Sequence, residues 1–183
     1  MSLSYCGGTI QVVELSGKGI EASFTASNEE SIAFSGESDG ADSAHWFSDE
    51  AYIPFGQIED LEFNNYYNYE HFPIHLFENL ATFRMYPHDG RSAERVLGLL
   101  RPLPGAGVPC PSLHHIDCIL GPYTSSDFES LVGSFINLVG ERERAGCRLK
   151  SIHLLSDKQL DPGLEGELKG YVGELQVSGG MEL

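Results

Sequence analysis

Leu113-His114-His115-Ile116-Asp117-Cys118 and Leu149-Lys150-Ser151-Ile152-His153-Leu154 share one spacing: apolar, two residues, apolar, one residue, apolar. The same spacing occurs at Ile10, Val13 and Leu15, at Ile58, Leu61 and Phe63, at Leu80, Phe83 and Met85, and at Val172, Leu175 and Val177. Side chains alternate faces along a strand, so the last two apolar residues of each unit share one face. The residue between them lies on the other. A single match means little. Six matches acquire weight from what separates them.

Three helices are predicted between the later units. Ser92 to Arg101 carries Val96, Leu97, Leu99 and Leu100. Ser126 to Ala145 places Phe128, Leu131, Val132, Phe135, Leu138 and Val139 at helical spacing, with a Ser-Asp start and Gly146 as a stop. Leu160 to Tyr171 puts Leu164, Leu168 and Tyr171 on one stripe, with Glu165 four residues before Lys169. Gly163, Gly166 and Gly170 argue against that third helix. Strand and helix thus alternate, and the apolar spacing is that of a leucine-rich repeat. The expected fold is α/β: a leucine-rich-repeat-like solenoid with irregular repeats, about 22, 33, 36 and 23 residues apart from Leu61 onward. A small antiparallel β meander is expected near the N-terminus, where Ile20, Ala22, Phe24 and Ala26, then Ile32 and Phe34, alternate with polar residues. The reading is one domain over 1–183: a β-rich part at 1–36, an acidic flexible loop at 37–50, and strand/helix repeats over 51–183. A second loop runs from Pro102 to Pro111.

Composition excludes several function classes. The chain has 27 acidic and 11 basic side chains, a formal charge of −16, which repels phosphate backbones; nucleic-acid binding is not expected. The densest basic run, Arg142 to Arg144, alternates with Glu141 and Glu143 and reads as a solvated helix face. Apolar runs are too short to span a membrane and no secretory leader is visible. Cys6, Cys110, Cys118 and Cys147 are widely spaced and contain no CxxC pair, so reduced thiols in an intracellular protein, cytoplasmic or nuclear, are expected.

The stretches LLRPLPGAGVPCPSLHHID (Leu99–Asp117) and LVGERERAGCRLKSIHLL (Leu138–Leu155) resemble the carboxy-terminal repeats of F-box proteins from mushroom-forming fungi. The likeness rests on the Pro-Cys-Pro-Ser-Leu and Arg-Ala-Gly joints and covers the last two thirds of the chain. In such proteins an amino-terminal F-box docks on a Skp-type adaptor of a cullin ubiquitin ligase and the repeats hold the substrate. The resemblance therefore implies ubiquitin-ligase substrate recognition. An F-box itself, a helical motif opening on Leu-Pro, is not found in these residues, so adaptor docking is not carried over.

If the register holds, the residues between the inward apolar pairs, Glu14, Glu62, Arg84, Asp117, His153 and Gln176, form a ladder across the exposed sheet face. With Tyr86 and His115 beside them, Glu62, Arg84, Tyr86, His115, Asp117 and His153 are the candidate partner-binding residues. Tyr86 is the expected anchor, since aromatics dominate binding hot spots. The structural alternative is a polar ladder satisfied within itself. The partner expected is a protein with a basic patch. No cofactor, metal or catalytic residue is expected. His114 and His115 are adjacent on a strand and point to opposite faces, Cys118 is a core position, and Pro73 breaks the alignment of His71 with His75. Tyr66, Tyr67, Tyr69 and Phe72 read as a packing loop. Gly105-Ala106-Gly107 has no phosphate-loop ending, and neither G-x-S-x-G nor H-E-x-x-H occurs. The chain reads as a non-enzymatic interaction module. Its rivals are a truncated or degenerate relative without a partner, and a small α/β enzyme with an unrecognised site.

Overall fold

Alternation of buried and half-exposed residues decides how the chain assembles. In a computed structural model, residues 14–15, 19–25, 31–37, 55–63, 74–87, 90–103, 105, 107–120, 128–156 and 158–179 are described. Strands β1 (Glu14–Leu15), β2 (Gly19–Thr25) and β3 (Ser31–Glu37) come first. Then follow β4 (Asp60–Phe63), β5 (Thr82–Met85), helix α1 (Gly90–Leu99), β6 (His115–Ile119), α2 (Phe128–Arg144), β7 (Ser151–Ser156), α3 (Pro162–Tyr171) and β8 (Glu174–Gly179). Short 3-10 turns at Phe55–Gln57 and Ile74–Leu76 precede β4 and β5.

Strands β4 to β8 form an all-parallel sheet in sequence order, extended at the β4 edge by the two-residue β1. Leu61, Phe83, Ile116, Ile152 and Leu175 stand in one row across it, and Phe63, Met85, Cys118, Leu154 and Val177 in the next. Both rows face the core, fully buried from β4 to β7 and partly buried at edge strand β8, where Leu175 and Val177 pack against it. The first apolar residue of each unit, Ile58, Leu80, Leu113, Leu149 and Val172, is also buried. Helix residues Ala93, Val96, Leu97, Leu131, Val132, Phe135, Leu138, Val139 and Leu168 complete the same cluster, so the helices cover this face. Each fully buried Leu, Ile, Val or Phe contributes about 1.5–3 kcal/mol by leaving water.

The solenoid expectation is corrected here. A solenoid stacks one unit at a fixed period, whereas equivalent residues here are 22 (61 to 83), 33 (83 to 116), 36 (116 to 152) and 23 (152 to 175) apart. The crossovers also differ in kind: α1 and α3 have 10 residues and α2 has 17, while the described part of the β4–β5 connection holds only a 3-10 turn. The architecture is an α/β fold built on a parallel sheet. The antiparallel meander is corrected too. β2 and β3 make a single two-stranded hairpin, and β1 joins the parallel sheet instead. A meander needs a third antiparallel partner, and the short β1 satisfies its backbone against β4.

Helix ends follow local chemistry. α2 stops where Gly146 takes a φ of 78°, with Gly146 N–H donating to Glu143 O and Cys147 N–H to Arg142 O. That pair of bonds closes the last turn, and a left-handed residue there favours glycine. α3 starts two residues later than its apolar stripe suggests. Asp161 caps it, accepting from Gly163 N–H at 2.8 Å and Leu164 N–H at 3.2 Å, and Pro162 occupies the first helical position. These caps and the Lys169–Glu165 pair at 2.6 Å offset three helical glycines. α1 begins at Gly90, two residues before the expected Ser92. Ser126 and Asp127, residues 38–50, Ile10, Val13, His71 and the Tyr66–Phe72 cluster lie outside the described residues.

Arg142 also departs from its expected place. It is no solvated helix face residue but is fully buried, with Nη1 donating to Leu100 O at 3.1 Å and Pro109 O at 2.8 Å, and Nη2 to Cys110 O at 2.8 Å. These carbonyls come from the end of α1 and the loop after it, and of the three Cys110 O also receives the Leu113 N–H at 3.0 Å. Burial lowers the Arg142 pKa, with the Cys110 and Cys147 thiols acting against the shift. Cys110 itself has a φ of 48°, a left-handed conformation costly for a side-chain-bearing residue. Its Sγ donates to Ile74 O at 3.3 Å, and its carbonyl meets Arg142, so both ends of the strained residue are held.

Candidate functional site

The face opposite the helices carries the residues left over by the alternation. Three rows cross it. The first holds Asp60, Thr82, His115, Ser151 and Glu174. The second holds Glu62, Arg84, Asp117, His153 and Gln176, with Glu14 aligned on Glu62 at the β1 edge. The third continues through Ile119, Leu155 and Ser178, and Tyr86 lies just past the end of β5, its N–H bonded to Phe63 O. Except for exposed Glu174 and Gln176, the residues of these rows on β4 to β8 are half-buried.

Asp117 is the centre. Its Oδ1 accepts from His115 Nε2 at 2.8 Å and faces His153 Nδ1 at 3.1 Å, while Oδ2 accepts from Arg84 Nε at 3.2 Å. The Asp117 side chain keeps 14% exposure, against 38% for Arg84, so the carboxylate is the sheltered member. Its desolvation is offset by donors from two neighbouring side chains, Arg84 and His115, with His153 of a third strand alongside. The other nitrogen of His115, Nδ1, lies 2.6 Å from Ser151 Oγ on β7. The His115 and His153 rings meet edge to face, with centroids 4.9 Å apart. Beside this cluster Tyr86 hydrogen-bonds Glu62; burial and then the Glu62 charge raise its phenol pKa above the ordinary 10.0, with Arg84 opposing.

All six candidate residues therefore fall on one face, in two linked groups: Arg84, Asp117, His115 and His153 around the carboxylate, and Tyr86 with Glu62 beside them. Ser151 was missed. The register could have found it, because Ser151 precedes Ile152 as His115 precedes Ile116. His114, by contrast, turns away and its Nδ1 bonds Ser112 O at 3.1 Å, while Cys118 is buried in the core. His114 is thus engaged apart from the Asp117 cluster. The strand pairing supplies a different partner, His153.

The order Ser151 hydroxyl, His115 imidazole, Asp117 carboxylate is that of nucleophile, base and orienting acid. Acyl transfer also needs donors aimed at the developing oxyanion, commonly backbone N–H groups. The N–H groups of Lys150 and Ser151 are both bound to His114 O, so the strand offers none beside the hydroxyl. A metal ion needs less: one ligand atom each from His115, Asp117 and His153 lie within 4.8 Å of one another.

Compared with known proteins, the chain matches no family model, no curated protein and no solved structure. Among the described residues no helix is long and apolar enough to cross a membrane.

Proposed function

We propose that this chain is a non-enzymatic module that binds another protein on the polar face of its parallel sheet, with substrate recognition for a ubiquitin ligase as the biological setting. The observation that carries this reading is the face itself. Parallel sheets normally have both faces covered. Here helices cover one, and the other carries half-buried aligned rows of Glu62, Arg84, Asp117 and His153 edged by Tyr86, Ile119 and Leu155. An aromatic beside aliphatic groups and a polar field is the make-up of a binding hot spot with its rim. With Arg84 paired to Asp117, the carboxylates of Asp60, Glu62 and Glu174 give this face an acidic character, which favours a basic patch on the partner. The ligase setting rests on the likeness of Leu99–Asp117 and Leu138–Leu155 to substrate-holding regions of fungal F-box proteins. Free thiols at Cys110, Cys118 and Cys147 suit a reducing compartment, and we place the protein in the cytoplasm or nucleus.

The test is an affinity pull-down from the source cells with wild type beside Tyr86→Ala and Glu62→Gln, read by mass spectrometry. One reproducible protein recovered by wild type and depleted by both variants is the expected result. A recovered set that neither variant changes would overturn the assignment of this face.

A further inference from the structure

The carboxylate cluster has a hydrogen-bond pattern that serves an ion as well as it serves protons. The geometry points to a divalent transition-metal site of the zinc class, in which His115 Nε2, Asp117 Oδ1 and His153 Nδ1 are the three protein ligands. Two imidazoles and one carboxylate are a donor set common to such ions, with one or more positions left for water. The ligand atoms converge already: Nε2 and Oδ1 are 2.8 Å apart, Nδ1 and Oδ1 are 3.1 Å apart, and one ligand atom of each residue fits within 4.8 Å. Bonds of about 2.0–2.2 Å to a tetrahedral ion separate ligand atoms by roughly 3.4 Å, so the two histidine–carboxylate pairs need to open by about half an ångström and the two imidazole nitrogens to close by about 1.4 Å at most.

The surroundings of the three ligands match the outer contacts of metal sites. A metal-bound imidazole usually donates its second nitrogen to an oxygen, which fixes ring and tautomer. Ser151 Oγ, 2.6 Å from His115 Nδ1, is placed for that role. A metal-bound carboxylate is usually held through its other oxygen, and Arg84 Nε does this at Asp117 Oδ2, leaving Oδ1 to the two histidines. His115 and Asp117 are two apart on β6 and therefore share a face; His153 is brought beside Asp117 by the β6–β7 register. The rigid sheet thus presents all three without a loop having to order. The Arg84 charge opposes a second cation nearby, so micromolar affinity is expected rather than the tighter binding of a closed structural site.

This inference does not rest on the partner reading, and its test uses the isolated chain alone. Zn²⁺ titrated calorimetrically into the metal-stripped protein should bind at one ion per chain and raise the thermal midpoint. Co²⁺ in its place should give visible absorption bands of a low-coordinate site. His115→Gln and His153→Gln should abolish both signals while leaving the far-UV circular dichroism unchanged, and His114→Gln should leave both intact. Should either histidine variant fail to fold, Ser151→Ala remains decisive, with an expected loss of about 10–100-fold in affinity. No binding at millimolar Zn²⁺, or binding that survives Ser151→Ala and the folded histidine variants unchanged, overturns the site.

Discussion

Replacing Arg142 by methionine is expected to destabilise the domain, although the substitution keeps the aliphatic volume. Three carbonyls, of Leu100, Pro109 and Cys110, receive bonds of 3.1, 2.8 and 2.8 Å from this one guanidinium. A buried acceptor left without a donor costs about 1–3 kcal/mol; Cys110 O keeps the Leu113 N–H at 3.0 Å, so two carbonyls are at stake, about 2–6 kcal/mol. Against this, methionine avoids burying a charge, a penalty of several kcal/mol. Arg142 Nε also lacks a partner, which adds to what methionine relieves. The balance is a net loss of about 1–3 kcal/mol. Arg142→Lys keeps the charge but presents a single ammonium where a planar fork spans three acceptors, so it should fall between wild type and methionine. Urea unfolding followed by circular dichroism measures both differences as shifts in midpoint at constant slope. If Arg142→Met proved as stable as wild type or more so, the view that this side chain holds the α1–β6 loop onto α2 would be refuted.

Other expectations follow from burial and from the site. Ile116, at 0% exposure in the centre of the sheet, should lose about 2–5 kcal/mol on truncation to alanine, measured in the same urea assay. Asp161→Ala should cost about 1 kcal/mol by uncapping α3, and Asp161→Asn much less. Burial pushes the Cys110 thiol up to about 12 and raises Cys118 as well, so in the folded chain an alkylating reagent should label Cys147 and spare those two, as peptide mapping will read. The raised pKa of Tyr86 means the fold holds a proton that the unfolded chain releases. The stability it contributes is whole below pH 10.0 and is lost as pH climbs through the folded-state value; phenolate absorbance of wild type minus Tyr86→Phe should show that late titration.

Much of the sheet was legible because its signal is short-range. The positions of Leu61, Phe83, Ile116 and Ile152 in their spacing place them in one buried row, and the structure aligns them so. What the pattern could not supply was the nature of the crossovers. The unequal spacing was visible in the sequence, but periodicity along a strand says nothing of what fills each return, and crossovers of different kinds separate this sheet from a repeating solenoid. Arg142 was misread for a related reason. Its neighbours Glu141, Glu143 and Arg144 are charged, and the demand that buries it comes from carbonyls 32 to 42 residues away in sequence. The site shows both limits. Asp117 and His153 were paired correctly by register, whereas Ser151 passed unnoticed because a serine on a half-exposed strand has no signature of its own.

The docking face can be tested directly by photo-crosslinking in the source cells. A crosslinking amino acid would be placed at Gln176, exposed at the end of the second polar row, and in a separate chain at Asn137, exposed on α2 on the opposite side. The account predicts a discrete crosslinked protein from position 176 and none of that mass from position 137. A partner captured from position 137 alone would contradict it and move the interface to the helices.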